Sequence, residues 1–296
     1  MPVIKKLGQS LFKFFLSNNS REYIERSILT IALVGFLMHL CLIGLVRYDV
    51  ITFLSESELL QNPISAIYTP FSFILIYEVY ALIFYLPYSF TTYITKQYEI
   101  ITLIIIRRLF KDLASLELTS NWFEIKDDLQ FTYDLIASLV LFYLIYLFIK
   151  HGKRKMLSEK ETSDDVKQFI NVKKAIAVVL VPLFFFMALF TFFGWAGDLT
   201  WSSEKLPELS SINNLFFDKF FTVLIMVDVV LLLTSFFYVN EFHKIIRNSG
   251  FIISTILIRM SFSVTGLINS VLIIVAVLFG LLIILIHNNY ERKLPN

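Results

Sequence analysis

Asn269–His287 reads NSVLIIVAVLFGLLIILIH, a run of 19 residues without a charged side chain. A helix that crosses the roughly 30 Å hydrocarbon layer of a bilayer needs about 20 mostly apolar residues, so this run predicts a membrane-spanning helix. The whole chain has the same character, because 57% of its 296 residues are hydrophobic, 17% are charged and the mean hydropathy is +0.71. Soluble domains carry about 25% charged residues. The composition therefore predicts an all-α integral membrane protein.

Seven further windows upstream of this run are of similar length and are mostly apolar. With it they predict eight spans: Ile28–Val46, Phe71–Tyr93, Tyr98–Leu116, Phe131–Lys150, Ala175–Trp195, Lys219–Asn240, Gly250–Gly266 and Asn269–His287. The third and the seventh span carry charged or hydroxyl side chains, so a partial or interfacial segment is the alternative for each of them. If the third span alone did not cross the membrane, every later loop would lie on the opposite side of the membrane, and the basic stretch Lys150–Lys174 would lie outside.

Charges in the loops predict the orientation of the eight spans. Lys and Arg are enriched in cytoplasmic loops of membrane proteins. With eight crossings, eighteen basic residues fall on the side of the two termini, and only Arg47, Lys126 and Lys205 fall on the other side. Both termini are therefore predicted to be cytoplasmic.

An offset of 152 residues relates the two halves of the chain. It sets IITLIIIRRLF (Ile100–Phe110) against IISTILIRMSF (Ile252–Phe262), with six of eleven positions identical. We interpret this as two tandem four-helix bundles; chance similarity among Ile-rich helices is the alternative. The predicted organisation is an amphipathic cytoplasmic segment (1–27), a first four-helix repeat (28–150), a basic cytoplasmic linker (151–174), a second four-helix repeat (175–287) and a cytoplasmic tail (288–296).

Few ionisable residues lie inside the predicted spans. An ionisable side chain inside a membrane is expensive and normally faces the interior of the helix bundle with a partner. Each half has one acid on its second helix, Glu78 or Asp228, and arginine on its third, Arg107 and Arg108 or Arg259. We expect Glu78 to pair with Arg107 or Arg108, and Asp228 with Arg259. Such pairs either fasten two helices together or line a path for an ion or a proton.

The seventh span is rich in hydroxyl groups. The side chains concerned are Ser254, Thr255, Ser261 and Ser263. Small and hydroxylated residues often mark close helix packing in lipid. A polar cavity beside Asp228 and Arg259 is the second interpretation.

No signature of a soluble-type catalytic site is present, so the chain is not predicted to be an enzyme, and no cofactor and no metal site are predicted. The single cysteine, Cys41, excludes a disulfide within the chain and a cysteine zinc site. GxxxxGK, HExxH and GxSxG arrangements do not occur. His39 is the one histidine deep in a predicted span, and we expect it to be a packed, hydrogen-bonded residue rather than a ligand.

Two segments resemble the phosphate-starvation-inducible E family of small bacterial four-helix membrane proteins. The residues concerned are IMVDVVLLLTSFFYVNEFHKIIRNSGFIISTILIRMSFS (Ile225–Ser263) and, more faintly, IYEVYALIFYLPYSFTTYITKQYEIITLIIIRRLF (Ile76–Phe110). The resemblance implies that Asp228 with Arg259, and Glu78 with Arg108, are the family's polar pair. It also implies a bacterial inner membrane and a fold, but not an activity. The chain differs from the family pattern in being duplicated.

Two functional hypotheses follow from the sequence. The first is a multi-pass inner-membrane protein that passes or senses a small ion or solute through its buried acid–arginine pairs. The second is a non-transporting scaffold or effector whose basic cytoplasmic face docks a partner or anionic lipid. The partners predicted are the lipid bilayer, anionic lipid at that face and further copies of the chain. A net charge of +2 predicts no nucleic-acid partner.

Overall fold

The structure is a computed structural model that describes residues 10–49, 60, 63–113, 126–153, 164–201, 209–239, 241–262, 264 and 266–293. Within these ranges every regular element is a helix. Eight of the helices are long: α1 (Asn18–Arg47), α2 (Tyr68–Tyr85), α3 (Phe90–Leu113), α4 (Lys126–Lys153), α5 (Asp164–Trp201), α6 (Leu209–Tyr238), α7 (Phe242–Ser261) and α8 (Leu267–Lys293). A short 3-10 helix, Pro63–Ile67, precedes α2. The prediction of an all-α protein is confirmed for this part of the chain.

Six stretches of the described chain are long and apolar enough to cross a membrane. They are Ser10–Arg47, Ser65–Tyr85, Leu129–Gly152, Asp164–Phe190, Lys219–Tyr238 and Leu267–Lys293. They overlap the predicted spans one, two, four, five, six and eight. Helices α3 and α7, which correspond to the third and seventh predicted spans, are not among the six.

The boundary between α2 and α3 lies inside the predicted second span, Phe71–Tyr93. Helix α2 ends at Tyr85, and α3 begins at Phe90. Pro87 explains the break, because proline has no N–H to donate and disfavours helical geometry at the residue before it. Ser89 then caps α3, since its side-chain oxygen accepts a hydrogen bond of 3.2 Å from the Thr92 N–H. The predicted span was thus too long at its carboxyl end.

The amino-terminal segment packs on α2 rather than forming a separate element up to residue 27. Residues 10–15 are helical, and Ser17 caps α1, which begins at Asn18 and continues through the first predicted span. Tyr80 donates a 2.8 Å hydrogen bond to the carbonyl oxygen of Phe15, and Tyr77 donates one of 2.8 Å to Glu25. Helix formation therefore includes polar residues of the predicted amphipathic segment, 1–27.

The chain divides into two compact units that do not follow the predicted halves. The first unit is Met1–Phe84 with Ala175–Leu224, and the second is Tyr85–Lys174 with Ile225–Asn296. Each unit takes residues from both predicted four-helix repeats.

Two helical hairpins, α3–α4 and α7–α8, lie in the second unit, together with the first part of α5 and the last part of α6. Helices α4 and α8 run in the same direction: Ser270 near the start of α8 hydrogen-bonds Asp134 in the first third of α4, and Ile284 in the last third of α8 lies against Gly152 at the end of α4. The α7–α8 turn contains Gly266 at φ +80°, a conformation that glycine adopts without a steric cost. These contacts bring polar residues of four helices into one interior.

Candidate functional site: two buried ion-pair clusters

The first buried ion pair lies between α6 and α7. Arg259 Nη2 is 2.8 Å from Asp228 Oδ2, and the Asp228 side chain is fully buried. Tyr93 Oη donates to Asp228 Oδ1 at 2.8 Å, while Arg259 Nη2 also donates to Gln97 Oε1 at 2.8 Å. We name these four residues the Asp228 cluster. The predicted contact between Asp228 and Arg259 is present.

One nitrogen of the Asp228 cluster makes no hydrogen bond to any described residue. Arg259 Nη1 is buried and has no hydrogen-bond partner among the described residues. An unmade hydrogen bond at a buried donor costs about 1–3 kcal/mol. The Arg259 guanidinium group therefore has one N–H donor available beside the buried Asp228 carboxylate.

A second ion pair, between the partly exposed Arg108 and the buried Asp134, joins α3 to α4. Arg108 binds Asp134 with two nitrogens, Nε to Oδ2 and Nη2 to Oδ1 at 2.7 Å, and the Asp134 side chain is fully buried. Such two-point contact is the geometry in which a planar guanidinium best matches a carboxylate. Gln130 and Ser270 each donate to Asp134 Oδ1, at 2.9 Å and 2.7 Å.

Asn269 ties this second pair to α7 and α8. Its Oδ1 accepts a 2.9 Å hydrogen bond from Arg108 Nη2, and its Nδ2 donates to the carbonyl oxygen of Ser261 at 2.6 Å. The second contact satisfies a carbonyl at the end of α7 that has no partner within the helix. We name Arg108, Gln130, Asp134, Asn269 and Ser270 the Asp134 cluster.

The two clusters lie at different levels of α3. Gln97 and Arg108 are eleven residues apart on this helix, which corresponds to about 16 Å along its axis. A buried pair of hydroxyl groups lies near the level of Gln97, the residue before Tyr98: Tyr98 Oη is 2.7 Å from Ser254 Oγ, and Ser254 donates to the carbonyl oxygen of Ala276 at 2.6 Å. Since the Ser254 hydroxyl has one hydrogen, Tyr98 is the donor to Ser254.

A buried lysine lies near the amino end of α3. Lys173 is 2% exposed, its Nζ donates to the carbonyl oxygen of Tyr88 at 2.8 Å, and it lies 4.2 Å from the centre of the Phe90 ring. The Phe169 ring is 5.0 Å from the same ammonium group. Lys173 was predicted to lie in a basic linker, 151–174, but α5 already begins at Asp164, and Lys173 is buried in the second unit.

The other predicted site residues have different surroundings. Arg108 was one of two partners proposed for Glu78, but its carboxylate partner is Asp134. Glu78 lies on α2 in the first unit and is 3% exposed. Its pairing with Arg107 stays a prediction.

The hydroxyl side chains of the seventh predicted span are engaged in close packing. Ser254, Thr255 and Ser261 are fully buried, and the last two donate to carbonyl oxygens one turn earlier on α7. Ser263 lies outside the described residues. His39, as predicted, is hydrogen-bonded, with Nδ1 2.6 Å from Thr69 Oγ1.

Several residues of the clusters were not singled out from the sequence. Asp134 is the most consequential of them, and its signal was available, because it is an acid inside the predicted fourth span, Phe131–Lys150. Tyr93, Gln97 and Asn269 carry no charge, so a search for ionisable residues passes over them.

Comparison with known proteins gives no relative: the chain matches no protein-family model, no curated protein and no solved structure.

Proposed function

We propose that the protein spans the membrane eight times and passes protons through the second unit. The single observation that carries the proposal is the pair of fully buried carboxylates, Asp228 and Asp134, each held by an arginine in an apolar helix bundle. Ionisable residues inside membranes mark proton relays and ion paths in many pumps and transporters. The orientation with both termini in the cytoplasm, the bacterial inner membrane and the membership in the phosphate-starvation-inducible E family belong to the same proposal.

The exposed faces of α3 and α7 support their inclusion among the spans. Every exposed residue of α7 is apolar: Phe242, Ile246, Ile253, Leu257 and Met260. The exposed residues described on α3 are apolar as well: Leu103, Phe110 and Leu113. Two of the charges that lower the mean hydropathy of these helices are paired with buried carboxylates, Arg259 with Asp228 and Arg108 with Asp134. Such a helix can face lipid even though its average composition is too polar for it to count among the six apolar stretches.

The positions of the helices also support the proposed duplication. Helix α3 begins at Phe90 and α7 at Phe242, which are separated by the 152-residue offset found in the sequence. Each of these helices is followed by a long partner, α4 or α8, with which it forms a hairpin.

A proton suits this interior better than a hydrated ion does. The carboxylate oxygens of Asp228 and Asp134 all lie within hydrogen-bonding distance of protein side chains. A larger ion would need a lining of replacement ligands or water. A proton moves between hydrogen-bonded groups, and Tyr93 Oη and the buried Nη1 donor of Arg259 provide such groups at Asp228.

Proton flux into liposomes tests the proposal. Purified protein is reconstituted with a pH-sensitive dye inside the vesicles, and a potassium gradient with valinomycin supplies the driving force. We expect flux above that of protein-free vesicles, and a fall of about tenfold or more for Asp228→Asn and for Asp134→Asn, since proton transfer by a positioned group is worth about 10²–10⁴-fold.

Asp164→Asn is the matched control, because Asp164 has a side chain that is 89% exposed at the start of α5. Its flux should equal that of the unchanged protein. Flux no greater than in empty vesicles, or flux that is indifferent to both buried substitutions, would refute the proton path.

A non-transporting scaffold is the second candidate function. The two-point Arg108–Asp134 contact favours it, since a closed ion pair fastens α3 to α4 without any transport. Lys150, in the last turn of α4, and Lys167, in the first turn of α5, are exposed and are available to anionic lipid. This candidate predicts no flux, together with a higher melting temperature in phosphatidylglycerol than in phosphatidylcholine that Lys150→Gln with Lys167→Gln abolishes.

A further inference from the structure

A group of metal-ligating side chains lies where α7 begins and α8 ends, away from both ion-pair clusters. Glu291 Oε1 is 3.4 Å from His243 Nε2 and 3.2 Å from His287 Nε2. The three ligand atoms all lie within 4.8 Å of one another. The side-chain exposure is 12% for His243, 3% for His287 and 25% for Glu291, so the group is largely enclosed but still reachable from one side.

The helices hold these three residues in place. His287 and Glu291 are four residues apart on α8, which puts them on one face of the helix. His243 is the second residue of α7, and its ring stacks on His287 with 5.2 Å between centroids and 23° between planes. Close contact of the two helices brings the rings together: a Cβ added to Gly250 would lie 2.7 Å from Ile283 Cγ1.

The spacing of the ligand atoms matches a tetrahedral metal ion. Zinc lies about 2.0–2.2 Å from imidazole nitrogen and carboxylate oxygen, so two ligand atoms at the tetrahedral angle are about 3.4 Å apart. The two separations to Glu291 Oε1 are 3.2 and 3.4 Å. We propose that His243, His287 and Glu291 bind a divalent transition-metal ion of the zinc class.

A fourth ligand is within reach. Glu241 Oε2 is 3.2 Å from His243 Nε2, while the other oxygen of Glu241 is 2.6 Å from Lys244 Nζ. This arrangement leaves one carboxylate oxygen on the side of the three ligands. Glu241 and Glu291 supply two carboxylates, and the cations beside them are Lys244 and Arg247.

Two neighbours of the site have to be accommodated. Arg247 Nη1 is 3.1 Å from His287 Nε2, and the same guanidinium holds Asn248 Oδ1 through Nε and Nη2. Rotation about the bonds to the guanidinium frees His287 Nε2 for a metal ion. Tyr290 stacks on His243 with 5.3 Å between centroids and covers one side of the site.

Imidazole with carboxylate selects the class of ion. Nitrogen ligands suit zinc, copper, nickel and iron, whereas magnesium and calcium prefer oxygen alone. The ion would link the first turn of α7 to the last turns of α8. The inference is independent of the proposed proton path, because no residue of either cluster is part of the site.

Binding of Zn²⁺ and Co²⁺ to the full chain tests the site. Protein purified in detergent through a tag without histidine is treated with a chelator, dialysed and titrated with ZnCl₂ by calorimetry. We expect one Zn²⁺ per chain, a visible absorption band typical of four-coordinate Co²⁺, and a rise in melting temperature on metal addition. Glu291→Gln and His287→Ala should each weaken binding by more than the roughly 10–100-fold that loss of an outer-shell partner costs.

Glu291→Gln keeps the size of the side chain, so it tests the ligand even if His287→Ala fails to fold. His151→Ala is the matched control, because it removes a partly exposed histidine of α4 outside the site. No saturable Zn²⁺ binding by the unchanged protein, or binding that both Glu291→Gln and His151→Ala leave unaltered, would overturn the proposal.

Discussion

The free-energy cost of burying the Asp228 carboxylate is offset by the groups that contact it. Its side chain has no exposed surface and contacts Tyr93 Oη and the Arg259 guanidinium. Two charges taken out of water lose several kcal/mol of solvation each, which their mutual attraction restores only if both are present. The stability of the second unit therefore depends on having both charges present or both absent, more than on either residue by itself.

This dependence predicts the behaviour of two variants. Arg259→Leu should lower the free energy of unfolding by about 3–5 kcal/mol, because it leaves Asp228 buried and charged. Arg259→Leu combined with Asp228→Leu should restore most of that loss, since two apolar side chains replace the pair. Thermal unfolding in one detergent measures both effects.

An exposed pair provides the control for these variants. Lys167 and Asp164 are 2.8 Å apart on the first turn of α5, with side-chain exposures of 61% and 89%. Their replacement by Gln and Asn should change the melting temperature little, because water screens exposed pairs. Equal, additive losses for Arg259→Leu and Asp228→Leu would show that the buried pair does not act as a unit.

Charged residues in the clusters were predictable to different degrees. Asp228 and Arg259 lie on consecutive helices, and a long arginine side chain can span their difference in depth, so their contact was predictable from chain positions. Arg108 and Asp134 meet the same condition. Asp134 was not singled out because α4 begins with the charged residues Lys126, Asp127 and Asp128, so a further acid near them is not unusual. Neutral partners such as Gln97 depend on how the hairpins pack, which periodicity does not specify.

Contact between α3, α7 and α8 depends on a glycine. A Cβ added to Gly280 would overlap Tyr98 Oη, lie 3.0 Å from Tyr98 Cζ and lie 3.2 Å from Ser254 Oγ. Tyr98 is fully buried and is held by its hydrogen bond to Ser254, so it has little room to shift. Small residues at helix contacts allow this close approach in membrane proteins.

Gly280→Ala should therefore destabilise the second unit by about 1–3 kcal/mol, the usual cost of overfilling a packed interior. Tyr98→Phe in the same chain should relieve part of the loss, because it removes the overlapping oxygen. Thermal unfolding and elution from a size-exclusion column measure the effect. Gly44→Ala is the control, since a Cβ there meets nothing within 4 Å; equal effects at Gly44 and Gly280 would contradict the packing argument.

Helix existence was easier to predict than helix ends. All eight predicted spans overlap a long helix, because runs of about 20 apolar residues leave the backbone no other way to satisfy its hydrogen bonds in lipid. Ends depend on local chemistry: Pro87 stops α2, and polar residues such as Asn18–Arg26 continue α1 outside the apolar run. The capping contact between Asn269 and Ser261 is specified by the turn and is invisible in hydropathy.

The arrangement of the whole molecule follows from whether α3 crosses the bilayer. Its described exposed side chains are apolar, and Arg108 is neutralised by Asp134 inside the second unit. The proposed eight crossings would place both termini on one side, as the distribution of Lys and Arg over the loops predicts.

Reporter fusions after Glu117 and after His151 should accordingly lie on opposite sides of the membrane. Alkaline phosphatase is active only outside the cytoplasm, and a fluorescent protein folds well only inside it, so the pair of reporters assigns each site. A fusion after Lys293 should behave like the one after His151. The same side for Glu117 and His151 would reduce the number of crossings and refute the eight-span arrangement.

The grouping of helices into units was beyond the reach of the sequence. The repeat suggested two successive bundles, whereas each compact unit draws residues from both halves. Apolar helices of similar composition offer many equivalent partners, and the choice among them rests on particular fits such as Ser270 on Asp134 and Tyr98 on Ser254.

Both ion pairs join helices that are neighbours in the chain, Asp228 with Arg259 and Arg108 with Asp134. During biosynthesis each guanidinium thus has its counter-ion on the segment made immediately before or after it. An emerging segment with an arginine need not wait for a distant part of the polypeptide before it leaves the translocon. Insertion two segments at a time, with each of these two arginines already paired with its carboxylate, is the order of assembly that this pairing allows.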